Sequence, residues 1–128
     1  MLKRDFSLLL VGFFFLGLYF VTDSRTENLA ASGEIKDGVR EIPVRAFRYG
    51  FKPDPIVVNA GEKIRIFAQS DDVTHGFAIA EYKSDKIITR TETKVIEFVA
   101  DKTGIFVIRC SVYCGPGHGQ MTGNLIVR

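Results

Sequence analysis

Lys63-Ile64-Arg65-Ile66-Phe67-Ala68 is the stretch from which the fold can be read. It alternates cleanly at period two, the pattern of a half-buried β-strand. Upstream, Asn59-Ala60-Gly61-Glu62 is a turn, and Pro53-Asp54-Pro55 breaks the chain before Ile56-Val57-Val58. Ile42-Pro43-Val44-Arg45-Ala46-Phe47 alternates moderately, and Pro43, which has no N–H to give a ladder, points to an edge strand. Downstream, the same rhythm continues in Gly76-Phe77-Ala78-Ile79-Ala80, Lys86-Ile87-Ile88-Thr89, Lys94-Val95-Ile96-Glu97-Phe98-Val99 and Gly104-Ile105-Phe106-Val107-Ile108-Arg109. Asn124-Leu125-Ile126-Val127 closes the chain. Seven or eight short strands separated by turns, with no helical stretch, predict an all-β fold, an antiparallel β-sandwich. Phe67, Phe98 and Phe106 are expected in its core.

The N-terminus has a different character. Met1-Leu2-Lys3-Arg4-Asp5 precedes Phe6 to Val21, sixteen residues without a charge. As a helix these would reach about 24 Å, somewhat short of the ~30 Å hydrocarbon core of a bilayer. No small-x-small cleavage site follows in Val21-Thr22-Asp23-Ser24, no Cys offers a lipid attachment point, and no polar face marks a buried soluble helix. Residues 1–22 are therefore expected to form one retained transmembrane anchor. Lys3 and Arg4 would keep its N-terminus cytoplasmic and send the remainder to the outer, periplasmic side of the membrane. Residues 23–38 are small and polar and read as a linker, which leaves 39–128 as a single domain.

Charge narrows the partners. The chain carries +2 overall, and +1 without residues 1–22, where Lys3 and Arg4 oppose Asp5. No block of like charge exists, so nothing points to nucleic acid or to an acidic docking tail. A domain of about 90 residues buries a limited core, so a metal clip would help its stability.

Near the C-terminus stands Cys110-Ser111-Val112-Tyr113-Cys114-Gly115-Pro116-Gly117-His118-Gly119-Gln120-Met121. Both cysteines of the chain lie here, with one of its two histidines and its only methionine besides Met1; the other histidine is His75. Four accounts compete. A Cys110–Cys114 disulfide would close a very short loop and leave His75, His118 and Met121 unexplained. A structural zinc site suits two Cys and two His, but a thioether is a poor zinc ligand. A mononuclear blue-copper site would use His75, Cys114, His118 and Met121 and leave Cys110 as a free thiol beside a redox metal. A binuclear copper centre uses every soft donor once. Two thiolates bridge two coppers, each copper takes one imidazole, Met121 is axial to one, and a backbone carbonyl between the cysteines serves the other. Sharing one electron over two metals keeps reorganisation small, which suits electron transfer and not substrate chemistry. The residues favour this last account.

The loop Cys110–Met121 with His75 upstream resembles the CuA site of subunit II of haem–copper terminal oxidases. Ala46-Phe47-Arg48-Tyr49-Gly50-Phe51-Lys52-Pro53-Asp54-Pro55-Ile56, Ser70-Asp71-Asp72-Val73-Thr74-His75-Gly76-Phe77 and Cys114-Gly115-Pro116-Gly117-His118 look like the corresponding stretches of the B-family (ba-type) members. The resemblance covers about residues 40–128 and implies a cupredoxin-like Greek-key β-sandwich with one N-terminal transmembrane helix. It implies Cys110 and Cys114 as bridging thiolates, His75 and His118 as terminal imidazoles, Met121 as the axial thioether, and Val112 as the donor of the main-chain carbonyl. Many relatives carry Glu at the position of Val112, where the side chain helps hold an interface magnesium ion. The main-chain ligand survives that change; the magnesium ligand does not. The Trp-rich segment that relays electrons in other relatives is absent, and Phe47, Tyr49, Phe51 and Phe77 are the aromatics that could stand in for it.

By the same resemblance the chain is expected to be the electron-entry subunit of a membrane oxidase that reduces oxygen to water and conserves the energy as a proton gradient. Electrons would come from a c-type cytochrome and pass to haem in subunit I, and the chain alone would catalyse nothing. Near neutrality predicts apolar docking of the cytochrome with weak salt dependence. The rival readings are a CuA subunit of a nitric oxide reductase, a tethered mononuclear carrier, and a copper-delivery factor. Delivery factors with Cys-x3-Cys have a thioredoxin-like fold with helices and place their His after the pair, whereas His75 precedes it here. Nitrous oxide reductases carry the same site beside a large catalytic domain.

Overall fold

The computed structural model describes residues 29–128. The expected anchor, residues 1–22, and the first part of the expected linker lie outside them. Among the described residues no helix is long and apolar enough to cross a membrane.

Among the described residues ten strands form two sheets of five. The first sheet holds β1 (Glu34–Lys36), β2 (Val39–Phe47), β3 (Gly50–Lys52), β5 (Lys63–Ser70) and β8 (Lys94–Val99), in the order β1-β2-β5-β8 with β3 also on β2. The second runs β4-β10-β9-β6-β7, from β4 (Ile56–Val58), β10 (Thr122–Val127), β9 (Gly104–Arg109), β6 (His75–Ile79) and β7 (Ser84–Ile88). Two pairs, β2 with β5 and β4 with β10, are parallel and the rest antiparallel. The sandwich is all-β as expected, but it is mixed and not purely antiparallel. Period two reports pleating and says nothing about strand direction.

Three local expectations need correction. Pro43 does not mark an edge. β2 lies inside its sheet, paired with β5 from Val39 to Ala46, and on its other side with β1 up to Glu41 and β3 from Arg45. Pro43 falls in the gap between those two partners, where an N–H would have no ladder to join. Phe67 is not a core residue. Along β5 the buried side chains are Ile64, Ile66, Ala68 and Ser70, so period two turns Phe67 to the outer face with Lys63 and Arg65. Phe98 and Phe106 do lean on the core, half-buried, through a ring stack and an edge contact with Tyr82. Finally, Glu34–Lys36, which read as linker, form β1. The signal was Asp37-Gly38, a two-residue hairpin turn in which both residues have positive φ, 49° and 77°.

The inner faces meet in one core. Ile42, Val44 and Ala46 of β2 and Ile64, Ile66 and Ala68 of β5 pack against Ile56, Phe77, Ile79, Ile108, Leu125 and Val127 of the other sheet. Fully burying each large apolar side chain stabilises by about 1.5–3 kcal/mol. The same cluster runs without a break into Cys110, Cys114 and Met121, so the core and the loop that follows β9 are one packing unit.

A polar staple holds the other end of β2. Arg40 donates through Nε and Nη2 to the Glu62 carboxylate at 2.6 and 2.7 Å, and through Nη1 to the Ser32 carbonyl at 3.1 Å. Glu62 also accepts from Asn59 N–H and Nδ2. The Arg40 hydrogen bond, opposed by burial and aided by Asn59, holds the Glu62 carboxyl down at about 2. A carboxyl whose folded value lies below its unfolded value of about 4.3 stabilises above that pH and loses the contribution as pH falls towards 2. Glu62→Gln should therefore flatten the acid limb of the stability curve. Measured as melting temperature, the wild type should fall more steeply than the variant between about pH 5 and pH 2.

Candidate metal centre

β6 and β9 are antiparallel neighbours with Ala78 opposite Arg109, so the start of β6 lies beside the segment that follows β9. His75 is the first residue of β6, and Cys110 follows the last residue of β9. Strand pairing thus brings the two parts of the motif together across thirty-five residues of sequence.

All six residues singled out in the sequence converge. The Cys110 and Cys114 Sγ atoms stand 3.6 Å apart as free thiols, both buried. His75 Nδ1 is 3.8 Å from Cys110 Sγ, and His118 Nδ1 is 3.6 Å from Cys114 Sγ. Met121 Sδ lies 3.7 Å from Cys114 Sγ, and the Val112 carbonyl oxygen 3.1 Å from Cys110 Sγ. The pattern is paired: each sulfur has its own imidazole nitrogen, Cys114 has the thioether, and Cys110 has the carbonyl. His75 is wholly enclosed and Met121 almost so, whereas His118 is half-buried at the surface.

Asp72 explains how His75 is aimed. Its Oδ1 lies 2.6 Å from His75 Nε2, and it also accepts from Val73 N–H and, through Oδ2, from Arg48 N–H. Partial burial disfavours its charge, but the hydrogen bonds from Arg48, His75 and Val73 outweigh burial and hold the carboxyl at about 2. An ionised carboxylate at Nε2 fixes the proton there and leaves the Nδ1 lone pair facing Cys110. Asp72 thus orients the ring of His75 and is not merely a solvated turn carboxylate. Cys114 behaves oppositely: burial first, then Cys110 beside it, pushes its thiol up to about 11. A cation that displaces that proton would offset the penalty.

The second loop rests on an element that the sequence did not mark as structural. Arg48 and Tyr49 form the two-residue turn between β2 and β3. Arg48 Nε donates to the Cys114 carbonyl at 2.9 Å. The Tyr49 ring lies under Gly115 and Gly117: a Cβ would meet Tyr49 Oη at 2.6 Å from the first and the ring at 2.5 Å from the second. Gly115 also has φ of 139°, which a side chain would resist. Of the other aromatics named as possible relays, Phe51 and Phe77 are core residues in edge contact at 5.3 Å, and Phe47 is exposed.

The donors fit a metal. Thiols, imidazole nitrogens, a thioether and a carbonyl within van der Waals reach of one another are a soft set, suited to copper and unsuited to magnesium or calcium. His75, Cys110 and Cys114 are the group among the described residues whose ligand atoms, all within 4.8 Å, could hold an ion.

Close approach of the two loops needs a glycine next to His75. A Cβ at Gly76 would collide with the Ser111 side chain, which donates to Asp85 at 2.5 Å, and would lie 2.6 Å from the Ser111 main-chain nitrogen. Gly76→Ala should cost about 1–3 kcal/mol. Gly119→Ala, where nothing lies within 4 Å, should change stability little. Denaturant unfolding of both variants checks the contrast, and equal effects would contradict the packing described.

Comparison with known proteins agrees with this geometry. The family model described as cytochrome c oxidase subunit II, periplasmic domain, matches residues 40–127. Cytochrome c oxidase subunit 2 of Thermus thermophilus is 33% identical over 85 residues, which cover 66% of this chain and 63% of that protein. The chain thus spans less than two thirds of that relative. A nitrous-oxide reductase of Cupriavidus necator is 42% identical over 57 residues, 44% of this chain but 9% of the reductase. Among solved structures, a subunit of a heme-copper terminal oxidase dimer superposes with a TM-score of 0.67 at 26% identity, covering 84% of this chain and 76% of its own.

Proposed function

The chain belongs to the cytochrome c oxidase subunit II family, and from that premise we propose that it is the electron-entry subunit of a haem–copper oxidase and holds a binuclear CuA centre. Cys110 and Cys114 would bridge two copper ions, with His75 and His118 as one imidazole each, Met121 as the thioether and Val112 as the main-chain carbonyl. The observation that carries this reading is the pairing of donors around both sulfurs, which leaves Cys110 as fully equipped as Cys114. A mononuclear site of His75, Cys114, His118 and Met121 would leave Cys110 Sγ and the Val112 carbonyl facing each other without purpose. When bound, the two coppers supply one-electron exchange with little change in bond lengths.

The chain's own residues do the rest. Asp72 keeps the His75 proton on Nε2 and the ring still. The apolar core below the thiols excludes water from the inner side of the site. Tyr113, 74% exposed between the two cysteines and 5.7 Å from the His118 ring, with exposed Tyr49 and Phe47 nearby in the fold, offers an apolar surface for a c-type cytochrome donor. Residues 1–22 would anchor the domain on the outer side of the membrane beside subunit I, with 23 to about 31 as the linker. The B-family (ba-type) form of the subunit is part of the same proposal.

The test is copper content of the purified full chain after loading with copper under reducing conditions. Two coppers per chain are expected, and Cys110→Ser should lose the two-copper form. One copper in the wild type would favour a mononuclear carrier, and none, with the two cysteines oxidised to each other, would overturn both.

A further inference from the structure

Arg48 touches both halves of the site and has no part in the reading so far. It stands in the β2–β3 turn, outside the loop that carries four of the side-chain donors and outside the segment that carries the fifth. Its main-chain N–H donates to Asp72 Oδ2 at 2.7 Å, and Asp72 Oδ1 holds His75 Nε2 at 2.6 Å. Its side chain donates through Nε to the Cys114 carbonyl at 2.9 Å, a contact across sixty-six residues. The neighbouring Tyr49 ring supports Gly115 and Gly117, so the loop sits on this turn with no room to slide inward. One residue therefore grips the histidine side through its backbone and the cysteine loop through its guanidinium.

We propose that Arg48 is a positioning residue that ties the two donor-bearing loops to each other, setting the distance of His75 from the two sulfurs and with it the electronic character of the centre. Three features support a directional role over a general charge effect. The contact is made by Nε, the one guanidinium nitrogen whose direction is fixed by the side-chain stem, to a carbonyl acceptor. The Cys114 carbonyl belongs to the residue whose Sγ lies within 3.7 Å of His118, Met121 and Cys110 donors, so moving that peptide unit moves the middle of the cluster. The Asp72 grip is made by the Arg48 main-chain N–H and survives replacement by alanine or lysine, so those changes release one side only. Lysine cannot reproduce the contact, because its ammonium is a rotating point charge without the planar donor.

The proposal rests on the copper-bearing function above, and the experiment separates the two. In the copper-free full chain, amide hydrogen exchange is compared among wild type, Arg48→Ala and Arg48→Lys. Both variants should raise exchange in 114–119 by about tenfold, the loss of a charge-assisted hydrogen bond, and leave 70–75 unchanged. In the copper-loaded chain, both should release copper to a strong Cu(I) chelator about tenfold or more faster and shift the thiolate-to-copper absorption and the copper hyperfine pattern. Because Arg48 is exposed in a turn, Arg48→Lys keeps the fold testable should the alanine variant unfold. Wild-type behaviour of Arg48→Ala in the exchange experiment overturns the tie, whatever metal is bound. Full rescue by lysine overturns positioning in favour of charge. A wild type that takes up no pair of coppers sinks the function proposed above, and the exchange result still decides Arg48.

Discussion

The Asp72–His75 hydrogen bond is the constraint on which the site depends. Two thiols, an imidazole and a thioether at the end of a hydrophobic core could pack in many ways, most of them with the imidazole turned to whatever acceptor it finds. An ionised carboxylate 2.6 Å from Nε2 removes that freedom. It commits the proton to one nitrogen, presents the other to Cys110, and does so from a residue three positions earlier on the same short segment. The carboxylate is itself held by two main-chain N–H groups, from Arg48 and Val73, so its charge is kept without a cation. The order of cause runs from the turn to the carboxylate, to the ring, to the sulfur.

The sandwich supplies what this arrangement cannot supply for itself. Pairing of β6 with β9 brings His75 beside Cys110, and pairing of β9 with β10 closes the loop between them, with Cys110 N–H donating to the Met121 carbonyl at 3.2 Å. Met121 N–H in turn donates to the His118 carbonyl at the end of a short 3-10 turn, His118–Gln120, which sets the spacing of those two side chains. Because Cys110, Cys114 and Met121 belong to the same buried cluster as Ile42 and Phe77, the donors cannot move apart without opening the core. A rigid frame of this kind is what rapid electron exchange needs, since motion of the ligands is the cost of each transfer.

Much of this was legible in the sequence, for identifiable reasons. The donors stand out because sulfur and imidazole are scarce in the chain and fall in one loop plus His75. The strands stand out because apolar residues alternate. What period two cannot supply is direction or neighbour, hence the two parallel pairs, the interior place of β2 despite Pro43, and the outward Phe67. β1 escaped because Glu34, Ile35 and Lys36 are all exposed and carry no alternation, although the Asp37-Gly38 turn announced a hairpin. Arg48 and Tyr49 were quoted for their likeness to relatives, but their contacts with the cysteine loop span sixty-six residues, and no local pattern encodes them. Asp72 was half legible: three residues before His75 is the right spacing for a partner, yet the same spacing suits any turn carboxylate.

The central claim is that both sulfurs serve two metals at once. Electron paramagnetic resonance of the oxidised, copper-loaded full chain tests it most directly. Hyperfine structure from two equivalent copper nuclei sharing one unpaired electron is the predicted result. A pattern from a single copper nucleus would mean that Cys110 is not a ligand and would contradict the account.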